Sequence, residues 1–176
     1  MVNNVGVYIQ LQNYYNRMTI AGAMDIEPDF GPPGPARSWA EGYNSVHNYD
    51  YFNFGSCDGC PFSGCLSCTP LKNWTLDDIV YVSWGVPSAW PLPEIYATDG
   101  SLADQWYRVS LRAATNWGGR MNIRGSMTQW QACQGQSCPG TDNTPATGWG
   151  QLAQWLNLDS RTAQFLEWST DISWAN

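Results

Sequence analysis

AGAMDIEPDFGPPGP, residues 21–35, carries an apolar run onto two acids and then breaks at a Pro/Gly-rich turn. Side chains alternate along a strand, so Asp25 and Glu27 share one side while Met24 and Ile26 take the other. Two carboxylates about 7 Å apart on one face raise each other's proton affinity, which suits one of them to act as an acid. In a parallel barrel the C-terminal ends of the strands form the catalytic rim, and the chain direction delivers both acids to that end. The competing role is structural: either acid could accept hydrogen bonds from the next turn or pair with Arg17 or Arg37.

Working outward, the neighbouring segments alternate between strand-like and helix-like. GVYIQL (6–11), MTIAGAMDIE (18–27), YDYFNFG (49–55), DDIVYVSWG (77–85), LPEIYA (92–97) and RMNIRGSMTQW (120–130) read as strands. A helix is expected after Pro35 through ARSWAEGYNSV, with Trp39 and Tyr43 four residues apart on one face. A second runs from Ser101, with Leu102, Trp106, Val109, Ala113 and Trp117 at helical spacing, and a third spans TGWGQLAQWLN with Trp149, Leu152 and Leu156 on one stripe. Ser160 is placed to cap a last short helix. Thr75, Asp77 and Asp78 read as turn or capping residues, and Asp99 and Asp104 as servants of the helix at 101. The alternation predicts an α/β architecture with mainly parallel strands. With five or six strands against the roughly 250 residues of a complete eight-fold barrel, the expectation is a partial or compacted TIM-barrel-like fold. An open α/β sheet is the alternative. All 176 residues are read as one domain with a Cys-rich insertion at about 55–75.

Composition narrows the partners. The chain is 43% apolar and 13% charged with a net charge of −7, one lysine (Lys72) set against seven arginines. Such a surface repels phosphate backbones and anionic lipids, which excludes nucleic acid and membrane surfaces as expected partners. No apolar run approaches the roughly 18 residues of a spanning helix. The start, MVNNVGVYIQ, lacks a charged n-region and a cleavage site and enters a strand-like run at once, so it reads as a chain short of upstream elements and without a signal peptide. Eleven Trp and nine Tyr exceed what a core of this size needs, and surplus rings commonly line a groove.

Six cysteines fall in two short polar stretches: Cys57, Cys60, Cys65 and Cys68 in CDGCPFSGCLSC, and Cys133 and Cys138 in CQGQSC. An even number in loops points to disulfides and a secreted, extracellular location. Zinc is the rival, since CxxC pairs chelate it, but the four-residue spacer is short for a zinc ribbon and His47 is the single histidine. The pairing of the cysteines stays open.

Elimination leaves carboxylate chemistry. A Ser-His-Asp triad or a catalytic thiol would need His47, read as a helix-end surface residue beside Asn48, and no GxSxG, HExxH, GxGxxG or GxxxxGK[ST] occurs. No cofactor or metal is implied. Glu94 in SAWPLPEIY is a third acid, either a nucleophile or base facing Glu27 or a loop carboxylate. Trp84, Trp90, Tyr96, Gln129 and Trp130 stand at or beside expected strand ends, where rings and an amide suit stacking against and hydrogen bonding to a sugar.

Asp25-Ile26-Glu27 closing an apolar strand, with MTQW closing a late one, resembles the lysozyme-like (muramidase-type) barrel glycosidases and their uncharacterised glycoside-hydrolase-like TIM-barrel relatives. The likeness spans about residues 18–130. It implies a secreted enzyme that hydrolyses polysaccharide, with Glu27 as proton donor and Asp25, or Glu94, in support. The family's early strands have no counterpart before Met1, so a homo-oligomer or a partner chain would complete the barrel. The alternative is a non-catalytic carbohydrate-binding or extracellular assembly protein whose aromatic residues face its partner.

Overall fold

The computed structural model describes residues 1–46 and 49–173. His47 and Asn48, and with them the expected role of His47, lie outside the described residues. In chain order the elements are α1 (Val2–Leu11), β1 (Gly22–Met24), α2 (Pro33–Val46), β2 (Tyr51–Asn53), α3 (Leu76–Val80), a π-helical turn (Tyr81–Gly85), β3 (Ala89–Pro91), α4 (Ser101–Asn116), β4 (Gly125–Thr128), α5 (Trp130–Cys133), α6 (Pro145–Leu156) and β5 (Trp168–Asp171).

The strands form two parallel sheets, β1-β2-β3 and β4-β5. Gly22 pairs with Tyr51 and Tyr51 with Ala89 in the first, and Gly125 with Trp168 in the second. Past β3 the chain makes a single parallel bridge between Glu94 and Met127, which joins the sheets without closing them. This corrects the barrel expectation: five parallel strands of three or four residues, in two sheets, form an open α/β arrangement, whereas a closed barrel needs eight. The resemblance to muramidase-type glycosidases falls with it, since those require the closed barrel. The expectation of a partner chain that completes a barrel loses its basis too.

Helices bury one face of the first sheet. Tyr51 and Ala89 point into a core with Ile79, Val82, Trp106, Val109, Ala113, Leu152 and Leu156, while Phe52 and Trp90 pair on the opposite face. The expected stripes are present: Trp39 and Tyr43 lie 5.4 Å apart on α2, Trp106, Val109 and Ala113 are fully buried on α4, and Leu152 and Leu156 on α6. Helix α4 starts where expected, with Asp99 Oδ1 accepting from the Ser101 N–H at 2.9 Å. Asp104 instead holds the Ser63 N–H and pairs with Arg108 at 2.9 Å.

Two expected strands are helical. GVYIQL lies in α1, which satisfies its backbone internally and needs no neighbouring strand. DDIVYVSWG forms α3 and the π turn, because Thr75 and Asp78 make a reciprocal capping box that starts a helix. The expected strands at 18–27, 49–55 and 120–130 shrink to three- or four-residue cores, whereas LPEIYA (92–97) holds only the isolated Glu94 bridge and β3 lies before it. Residues 157–162 form turns, with no helix after Ser160, and β5 was not foreseen.

All six cysteines are paired, Cys57–Cys60, Cys65–Cys68 and Cys133–Cys138, so zinc is replaced by three disulfides. These fit an oxidising, extracellular or secreted environment. Among the described residues no helix is long and apolar enough to cross a membrane. Each disulfide closes a loop of only a few residues and contributes about 2 kcal/mol of cross-link entropy, so each shapes its loop more than it holds the fold. Cys57 and Cys60 are fully buried, while the other four cysteines are partly exposed. Mild reduction followed by alkylation and peptide mass analysis is therefore expected to label Cys65, Cys68, Cys133 and Cys138 well before Cys57 and Cys60.

Candidate functional site

Beyond β1 the chain runs through Asp25, Ile26 and Glu27 and turns at once into a 3-10 turn at Pro28–Phe30. A buried amide on the neighbouring strand holds this exit. Asn53 Oδ1 accepts from the Ile26 and Gly55 N–H groups, both at 3.2 Å, and Asn53 Nδ2 donates to Ser83 Oγ at 2.7 Å. Gly55 passes so close above the β1 exit that a Cβ there would sit 2.2 Å from the Ile26 carbonyl oxygen. That approach sets the Ser56 N–H on Glu27 Oε1 at 2.8 Å.

The π turn supplies the other anchor. The Tyr51 hydroxyl donates to the Val82 carbonyl and Ser83 receives Asn53, so the widened turn is fastened to β2 at two successive residues. The Cys-rich segment buttresses the far side: Trp74 Nε1 donates to the Gly31 carbonyl at 2.6 Å, and Lys72 reaches both the Asp29 carbonyl and its carboxylate.

The result brings Asp25, Glu27 and Glu94 together, with carboxyl oxygens all within 4.8 Å of one another. Glu94 comes from the bridge residue after β3, and the Tyr96 hydroxyl donates to its Oε1 at 2.7 Å. Burial pushes the Glu94 carboxyl up to about 8, with the Glu27 and Asp25 charges and a carboxyl–carboxyl hydrogen bond to Glu27 acting in the same direction. Asp25 is raised to about 6, first by burial and then by Glu27 and Asp58. A Glu94 carboxyl raised this far favours its protonated form at neutral pH. Asp25 Oδ1 is buried without a hydrogen-bond partner. No Lys or Arg among the described residues pairs with the three acids, and Arg37 is taken by Asp78 at 2.8 Å.

This geometry overturns the glycosidase reading. Retaining enzymes hold their two carboxyls about 5–5.5 Å apart and inverting ones further, with separate roles for acid and base or nucleophile. Here three carboxyls form one group, an oxygen of each within 4.8 Å of the others, and no barrel rim surrounds them. The three acids are also the one group among the described residues with the oxygen donors a hard divalent cation prefers.

Beside Asp25 and Glu27 opens a cavity of about 230 Å³ whose walls are apolar, formed by Met24, Phe30, Pro32, Pro35, Trp39 and Trp74. Of the aromatic and amide residues singled out in the sequence, Tyr96 hydrogen-bonds the acid cluster through Glu94. Trp84 lies over Gly119, Trp90 lies under the Arg124 guanidinium at 3.7 Å, Gln129 donates to Thr141, and the Trp130 N–H donates to Asp171. Phe30, Trp39, Trp74 and Asn53 carried no motif. The nearest signal was FGPPGP, whose turn swings Phe30 beside the acids.

Compared with protein-family models, with characterised proteins and with solved structures, the chain shows no significant match.

Two outcomes test the site's physics. Asn53→Ala leaves two N–H groups and Ser83 without their partner, and is expected to cost on the order of 3 kcal/mol in denaturant melts. Glu94 binds a proton more tightly folded than unfolded, so stability should fall as pH rises from about 4.5 to about 8. The slope can reach about 1.4 kcal/mol per pH unit, and Glu94→Gln should flatten it.

Proposed function

We propose that this is a non-catalytic carbohydrate-binding domain that works in an oxidising, extracellular setting. The observation that carries it is the groove between the β1 exit and α2. The aromatic side chains of Phe30, Trp39 and Trp74 line it together with the acids Asp25 and Glu27. A pyranose has that dual character, with an apolar C–H face to stack on a ring and polar edges to hydrogen-bond. A volume of about 230 Å³ lies below the roughly 300–1,000 Å³ of pockets for drug-sized ligands, which suits one ring of a chain held across the groove.

Supporting binding without turnover, the three acids lie in one group with no barrel rim around them. Affinity electrophoresis against a panel of soluble polysaccharides, followed by calorimetry with oligomers, tests it. At least one polysaccharide should retard the domain without release of reducing ends. Phe30→Ala, which removes a side chain 67% exposed and outside the core, should weaken that binding roughly ten-fold or more. Migration unchanged across the whole panel would refute the reading.

A further inference from the structure

We infer that the outward face of α1 is an interface between two copies of this chain, which pair about a two-fold axis.

Helix α1 has two apolar sides and buries one. Gly6 and Ile9 are buried against the body of the protein, where Tyr49 lies over Gly6 and Asn3 Nδ2 donates to the Val46 carbonyl at 3.0 Å. On the opposite side Met1, Asn4, Tyr8 and Leu11 follow one another at steps of three and four residues, and all are exposed. That is the seam spacing of a helix that packs along another helix. The turn that follows adds Tyr14, Tyr15 and Met18, likewise exposed. A helix with two apolar faces belongs inside a protein, and a monomer seldom leaves so large an apolar patch in water.

The area is that of a stable dimer. From Met1 to Met18 eight apolar or aromatic side chains are between 41% and 98% exposed. At about 150–200 Å² for each fully exposed side chain, those fractions amount to roughly 700–950 Å². A standard interface takes about 800 Å² from each partner.

Charge favours a second copy over other occupants. The chain carries a net charge of −7, so two copies repel each other across most of their surfaces. Residues 1–16 contain no Asp, Glu, Lys or Arg. A two-fold contact sets one patch against the same patch, so a charged side chain there would meet its like. The polar side chains of residues 1–16 are those of Asn, Gln and Tyr, which both donate and accept and so can pair with their own kind. A lipid surface is a poorer fit, since helices that lie on membranes are rich in Lys and Arg and α1 has neither. The face is also clear of the groove. Helix α1 packs on Tyr49 at the end of the sheet where its strands begin, and the Asp25–Glu27 groove opens where they end.

Sedimentation velocity of the 176-residue chain tests the pairing. At about 100 µM, above the micromolar limit for interfaces of this size, it should run at twice the chain mass. Leu11→Lys sets like charges on the seam at a side chain 73% exposed, and should weaken pairing roughly 30-fold or more while the circular-dichroism spectrum stays that of the folded chain. Leu66→Lys, at a side chain 69% exposed in the Cys-rich segment, should leave pairing unchanged. A chain that stays monomeric at that concentration would overturn the inference. A dimer that Leu11→Lys leaves intact, or that Leu66→Lys breaks, would overturn it too. Flotation of the monomer with phosphatidylcholine vesicles would make lipid the occupant and overturn it as well.

Discussion

One buried amide fixes the geometry on which the site depends. Asn53 is 1% exposed, and its carbonyl oxygen and amide nitrogen are both spent on tying β1, the β2 exit and the π turn together. Without that clamp the chain after Met24 would have no reason to run level with Gly55, and Glu27 would lose the Ser56 N–H that orients it. A polar side chain in such a place costs free energy unless every group is paired, and paired it specifies one arrangement over its neighbours. The helices behind the sheet supply the burial; Asn53 decides where the strand ends point.

The acids themselves express a conflict between burial and charge. Burial and the neighbouring acids push the Glu94 carboxyl up against the opposing pull of the Tyr96 hydroxyl, which donates to it. Burial and Glu94 raise the Tyr96 hydroxyl in turn, so it stays a donor. Where the Cys-rich segment ends, Trp74 and Lys72 bond to Gly31 and Asp29 of the turn that frames the groove.

Much of this was legible in the sequence, and the gaps have physical causes. The D-x-E at a strand end, the helical stripes of α2, α4 and α6, and the redox chemistry of the cysteines all follow from local spacing. DDIVYVSWG misled because a short apolar run fits a buried helix as well as a strand, and only the Thr75–Asp78 box distinguishes them. The barrel was an extrapolation from alternating segments, and segment order does not reveal whether a sheet closes. Glu94 joins the other acids through one bridge to Met127, a contact between residues far apart in the chain. Asn53 was invisible for a similar reason: within YFNFG nothing marks an asparagine that will be buried.

The account turns on the three acids sharing protons as one cluster. Carbon-detected NMR titration of the side-chain carboxyls measures this directly. Glu94 should titrate near pH 8 and Asp25 near pH 6, each moving when the other is replaced by its amide. Independent titration of Asp25 and Glu94 near pH 4, insensitive to those replacements, would contradict it.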